Sequence, residues 1–203
     1  ILSSENRDNK DYAKRIGVDV DNVLIVKVTF VEEMFLFVKQ IIDTTFQEFK
    51  EAKIKTQPKF MFIWDSLGAT LSLNEKNTMA ENNELLTKKL ATGGSLSELK
   101  NEKIGAFAKE AKKFAKYMLS ETYDKIIHFI ILNHTYDTIT GMGISTKKST
   151  GGEWVQYLPC LRLQIASKGM QKIGDEEVAQ ISVVKVIKND FGSRKKTEIR
   201  ILL

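Results

Sequence analysis

A single cysteine, Cys160, occurs in the 203 residues, which excludes an internal disulfide and fits a reducing, cytoplasmic setting. No apolar run approaches the roughly 20 residues a helix needs to cross a bilayer, so no membrane partner is expected. No signal-peptide pattern follows Ile1, and the expectation is a piece of a longer polypeptide. Internal repeats are lacking, as is low complexity beyond one polar stretch. Neither sign of charge dominates. Thirty-one Lys and Arg against 26 Asp and Glu leave +5, a balance that permits a phosphate-rich partner without demanding one. What is present is 42% hydrophobic residues, enough for one well-filled core, and a length short of two ordinary domains, so residues 1–203 are expected to form one domain.

Strand and helix signals alternate along the first two thirds. Asp8 or Asn9 can cap a short helix running to Ile16, with Gly17 as its left-handed stop. Val23–Val26 reads as a buried strand, and 31–52 as a long helix with Phe35, Val38, Ile41, Ile42, Phe46 and Phe49 on its apolar face. Beyond Pro58 comes Phe60-Met61-Phe62-Ile63-Trp64-Asp65-Ser66, an apolar run ending on a carboxylate and a hydroxyl. Residues 71–101 are rich in Asn, Glu, Lys, Thr and Ser and include Gly93-Gly94, the composition of a mobile insertion. Residues 102–119 return to a helix with a stripe of Ile104, Phe107, Ala108, Ala111, Phe114, Ala115 and Met118; Lys109, Lys112, Lys113 and Lys116 make its opposite, solvated face. Ile126–Leu132 reads as another buried strand, inside which His128 is expected as a core histidine. Residues 136–152, with Gly141, Gly143, Lys147, Lys148, Gly151 and Gly152, read as too polar and flexible to pack. From Leu161 on, three strands over 161–166, 179–188 and 197–203 predict an antiparallel end. The expected class is α/β, a mostly parallel sheet with helices on both faces and an antiparallel C-terminal extension.

Asp65 is the first candidate functional residue. An acid at the carboxyl end of a buried parallel strand is where a magnesium ion's water shell and a triphosphate meet in nucleotide-hydrolysing α/β proteins; the plain alternative is an Asp that caps the following turn.

Several landmarks in order resemble the RecA family of recombinases. Phe62-Ile63-Trp64-Asp65-Ser66-Leu67-Gly68 and Leu132-Asn133-His134-Thr135-Tyr136 are most similar to its phage UvsX-like branch, and Tyr12–Asn22 is similar to the segment after the adenine-binding turn. The resemblance spans nearly the whole chain. It implies a P-loop NTPase core that uses ATP and Mg, binds single-stranded DNA and homologous duplex DNA, self-associates into a filament or oligomer, and works in a bacterial cytoplasm or a phage-infected cell. In that register Glu5 falls on the catalytic glutamate, Tyr12 on the adenine-stacking tyrosine and Asp65 on the Walker B aspartate, which holds Mg through water with Ser66 beside it. His134 falls at the root of the second DNA-binding loop, where it would touch the γ-phosphate; its alternative is a turn-capping histidine. Lys147, Lys148, Gly151 and Gly152 fall on that loop, Lys88 and Lys89 are further candidate DNA contacts, and Lys188 on the lysine presented to the adjacent protomer's nucleotide.

The departures from the family pattern are specific. No G-x-x-x-x-G-K-[ST] phosphate loop occurs in these residues, so the chain is expected to lack the amide nest and lysine that hold β- and γ-phosphates and to represent an N-terminally truncated core. Asp190 stands where the family has a second lysine, and Asn9 where it has an adenine-contacting aspartate. Two other readings remain open: a helicase-type motor on the same fold, and a non-hydrolysing module that binds DNA or caps a filament.

Overall fold

The computed structural model describes residues 1–5, 10–92, 105–139, 145–192 and 196–202. It divides into two compact units, Ile1–Gly152 and Glu153–Leu203.

Four strands of the first unit, β1 (Leu2–Ser3), β2 (Val26–Lys27), β3 (Lys59–Asp65) and β4 (Ile126–Ile131), pair in parallel in the order β2-β1-β3-β4. This is the parallel part of the α/β architecture expected from the alternating signals. Helix α1 (Lys10–Arg15) ends as its sequence predicts: Gly17 has φ +91°, its N–H bonds to Lys14 O, and the Val18 N–H bonds back to Ala13 O. Helix α2 (Val31–Lys50) buries Val31, Met34, Val38, Ile42 and Phe46. Helix α4 (Ala106–Glu121) buries Phe107, Ala111, Phe114, Ala115 and Met118. Both stripes repeat at helical spacing and meet one face of the sheet. Phe114 is the hub, edge-on to Trp64 at 5.8 Å, to Phe129 at 5.2 Å and to Phe35 at 5.8 Å.

Four readings from the sequence are corrected here. The second strand is only Val26–Lys27, and it is not buried, because it is the sheet's edge. The polar stretch from residue 71 is helical over Leu73–Thr92 (α3). A reciprocal cap starts it: the Ser72 hydroxyl accepts the Glu75 N–H at 3.3 Å, and the Glu75 carboxylate accepts the Ser72 N–H at 2.6 Å. Glu32 of α2 adds acceptors for the Leu73 N–H at 3.1 and 3.2 Å. Gly93-Gly94 lies outside the described residues.

The third correction concerns the far face of the sheet. Met61 is 61% exposed, Ile130 45% and Ile126 39%, and His128 between them is exposed rather than a core residue. Among the described residues, helices cover the Phe60–Phe62–Trp64 side, whereas these alternating positions of β3 and β4 stay open. The fourth concerns residues 136–152, where β5 (Thr135–Ile139) and β6 (Ser145–Ser149) form an antiparallel ladder from Thr135↔Ser149 to Ile139↔Ser145. Thr and Ile are good strand formers, and ladder pairing satisfies backbone groups that a polar loop would leave to water. Gly141 and Gly143 lie outside the described residues.

The second unit holds a short helix α5 (Trp154–Tyr157) and the antiparallel sheet β7 (Leu161–Ile173), β8 (Glu176–Asn189) and β9 (Lys196–Leu202), ordered β7-β8-β9. The three expected strands are there. Two are longer than their apolar runs, because β7 and β8 continue as one hairpin to a turn at Gly174, φ +64°.

Candidate functional site

Chain order and sheet order together create a crevice. From β1 the chain crosses to β2 on one side, then returns past β1 to place β3 on the other, so the direction of winding reverses between β1 and β3. At such a switch point the loops leaving the carboxyl ends of the two strands diverge, and ligands of open α/β sheets bind between them.

Glu5 leaves the β1 end and Asp65 closes β3, and the register Ser3↔Asp65 puts those ends side by side. The Ser4 N–H donates to Asp65 O at 2.7 Å and extends the pairing past the last ladder residue. The peptide bond between Asp65 and Ser66 is cis. Ser66 is 1% exposed, and its hydroxyl donates to Glu5 Oε1 at 2.6 Å. His134, just past the β4 end, brings Nε2 to 2.9 Å from that same oxygen. The neighbouring strand ends are locked in turn, with Leu132 N bonded to Trp64 O and Leu67 N to Leu132 O, both at 2.9 Å. Residues from β1, β3 and β4, distant in sequence, thus converge on one carboxylate.

Gly68 brings the turn after β3 close to the β4 end: a Cβ there would lie 3.5 Å from His134 Cδ2 and 3.6 Å from Thr150 Oγ1. Asn133 donates Nδ2 to Thr150 O at 2.8 Å, tying the returning end of the β5–β6 hairpin to β4. Gly152 packs against α4 at φ +86°; a Cβ would stand 3.1 Å from that of Ala108, so a side chain is opposed by both backbone and space. Gly151 is buried and Lys148 exposed, and Lys147 falls on β6 opposite Asp137. Tyr12 is 49% exposed on α1, with the Arg15 guanidinium 5.7 Å from its ring centre. Lys88 is exposed on α3, with Lys89 next to it on the same helix.

Lys188, expected to protrude, is instead folded back within the second unit. Its Nζ donates to Tyr157 O at 2.7 Å and Pro159 O at 2.8 Å and pairs with Asp190 at 3.1 Å. The physical reason is local: two carbonyls and a carboxylate within reach satisfy an ammonium with three donors. Sequence reasoning gave no role to Ser4, nor to Gly68 and Asn133, which it quoted only within the family-like runs; their roles depend on strand register.

No family model matches the chain. Over 189 residues, 93% of its length, it is 22% identical to the protein named Protein RecA in two strains of Porphyromonas gingivalis. The chain is similar to RecA. The likeness is distant and supports the RecA family, and the chain spans 46% of the length of that RecA. The parallel sheet with its antiparallel companion is consistent with a RecA-like fold. No helix among the described residues is long and apolar enough to cross a membrane, and no cluster of three or more metal-ligating side chains occurs among them. A hydrated magnesium ion does not need such a cluster, because it keeps several waters and takes one or two carboxylates together with substrate phosphates.

Proposed function

We propose that this chain is the ATPase core of a RecA-like recombinase of the phage UvsX-like branch, acting on single-stranded and homologous duplex DNA. The observation that carries the reading is the convergence of Glu5, Ser66 and His134 beside Asp65 at the switch point of a parallel sheet. The donor set suits ATP and Mg. Asp65 is an acid at a strand end that would hold the hydrated ion, and that ion supplies charge neutralisation on the phosphates.

Glu5 is the group to orient and deprotonate an attacking water, since its carboxylate is held by two neighbours on one oxygen. His134 links that carboxylate to the β5–β6 hairpin, which starts at the next residue. A change in what Glu5 faces is thereby felt at the root of the DNA-binding segment that carries Lys147, Lys148, Gly151 and Gly152. Tyr12 offers an exposed ring for adenine. Lys188 serves an adjacent protomer after exchanging its present partners, which makes turnover depend on assembly. Without a phosphate loop in their own sequence, the 203 residues alone bind ATP weakly.

The test is ATP turnover by the intact protein with and without single-stranded DNA. Stimulation by DNA is expected, and Asp65→Asn abolishes it while leaving the thermal melt in place. Turnover indifferent to DNA overturns the recombinase reading.

A further inference from the structure

Ser4 precedes Glu5 on the β1 end, and its side chain reaches across to Ser66 on the neighbouring strand. Its hydroxyl accepts the Ser66 N–H at 2.9 Å and donates to Ser66 O at 2.8 Å, gripping one residue on both sides. At 1% exposure Ser66 has no water to replace either bond. Its carbonyl also accepts from Thr70 Oγ1 at 2.9 Å, and that hydroxyl is itself fixed by Trp64 Nε1 at 2.8 Å. With its backbone groups committed, Ser66 has one hydroxyl proton left, and it goes to Glu5 Oε1 at 2.6 Å.

We propose that Ser4 is a positioning residue for Glu5: by clamping the Ser66 backbone it fixes where the Ser66 hydroxyl meets the Glu5 carboxylate. The role assigned to Glu5 rests on the function proposed above; the clamp itself does not. Glu5 has a second partner in His134, but that side chain is 70% exposed and has rotamer freedom that a buried serine lacks. Of these two contacts, the buried one through Ser66 is the less mobile and the better placed to set the carboxylate's direction. Ser4 is well suited to a clean test, because its own N–H bond to Asp65 O does not depend on the side chain and is kept in alanine, threonine and valine variants.

The measurement is the carbon-13 resonance of the Glu5 side-chain carboxylate in the 203-residue chain, assigned by its disappearance in Glu5→Gln. In Ser4→Ala the resonance moves; in Ser4→Thr, which keeps the hydroxyl, it returns. Should Ser4→Ala fail to fold, Ser4→Thr and Ser4→Val decide the matter, since the two have the same shape and differ in the hydroxyl. In the intact protein Ser4→Ala lowers kcat roughly tenfold with KM for ATP within about twofold, the split expected when a reacting group is misaimed and binding is spared. A resonance that stays in place in folded Ser4→Ala, or a Ser4→Thr that behaves like Ser4→Val, overturns the proposal. Absence of DNA-stimulated turnover in the intact protein would defeat the functional reading alone, and the resonance would still decide Ser4.

Discussion

Strands β3 and β4 carry one ladder with two unlike faces. On one, Phe62, Trp64 and Ile127 are buried under α2 and α4; on the other, Met61, Ile126 and Ile130 meet solvent although they are as apolar as their neighbours. The difference teaches that the apolar run Phe60–Trp64 encodes a strand and its length, but not which side is covered. Coverage is decided by the helices, and among the described residues α2 and α4 present the matching stripes.

The sharpest way to break this contrast is at Trp64, fully buried and bonded to Thr70. Trp64→Ala should cost about 3–5 kcal/mol, read as a lower urea midpoint, because it opens a cavity and strands the Thr70 partner. On the same covered side Tyr117 stacks edge-on with Phe35 at 4.9 Å, but its hydroxyl is buried without a hydrogen-bond partner. Tyr117→Phe should therefore stabilise the chain by about 1 kcal/mol in the same assay, since it removes an unsatisfied group and keeps the ring. Across the ladder, Met61→Ala should change stability by less than about 0.5 kcal/mol. Met61→Lys combined with Ile130→Lys should lower light scattering at high concentration without lowering the melting temperature; unchanged scattering would show that this face does not drive self-association.

The smallest effect is a pH dependence. Burial pushes the Tyr117 hydroxyl above its usual 10.0, and the hydrogen bond that Lys125 donates to the Glu121 carboxylate holds the lysine above 10.5. Both are raised in the folded chain, so their titration leaves stability untouched below their ordinary values and lowers it as pH rises through the folded ones. Thermal melts between pH 8 and 11 should fall at the alkaline end, and less steeply in Tyr117→Phe.

Much of the frame was legible. The stripes of α2 and α4, the glycine stop of α1 and the three C-terminal strands follow from periodicity and turn chemistry, which are local. Helix α3 was hidden because its weak apolar pattern reads as loop, although Ser72-Leu73-Asn74-Glu75 carries the capping signal in plain view. His128 was misplaced because one-sided coverage cannot be read from an apolar run. At the candidate site, Asp65 was singled out as an acid closing an apolar run, and Glu5 only through the register of the family resemblance. Ser4 was not, since its importance lies in a register between strands more than sixty positions apart.

The retracted posture of Lys188 has a kinetic consequence. Any neighbour that recruits this ammonium must first compete with Tyr157, Pro159 and Asp190, so a lone carboxylate has little to offer while a polyphosphate does. Asp190 thereby acts as a built-in rival, and Asp190→Asn would ease the release of the lysine to another molecule without adding any new contact.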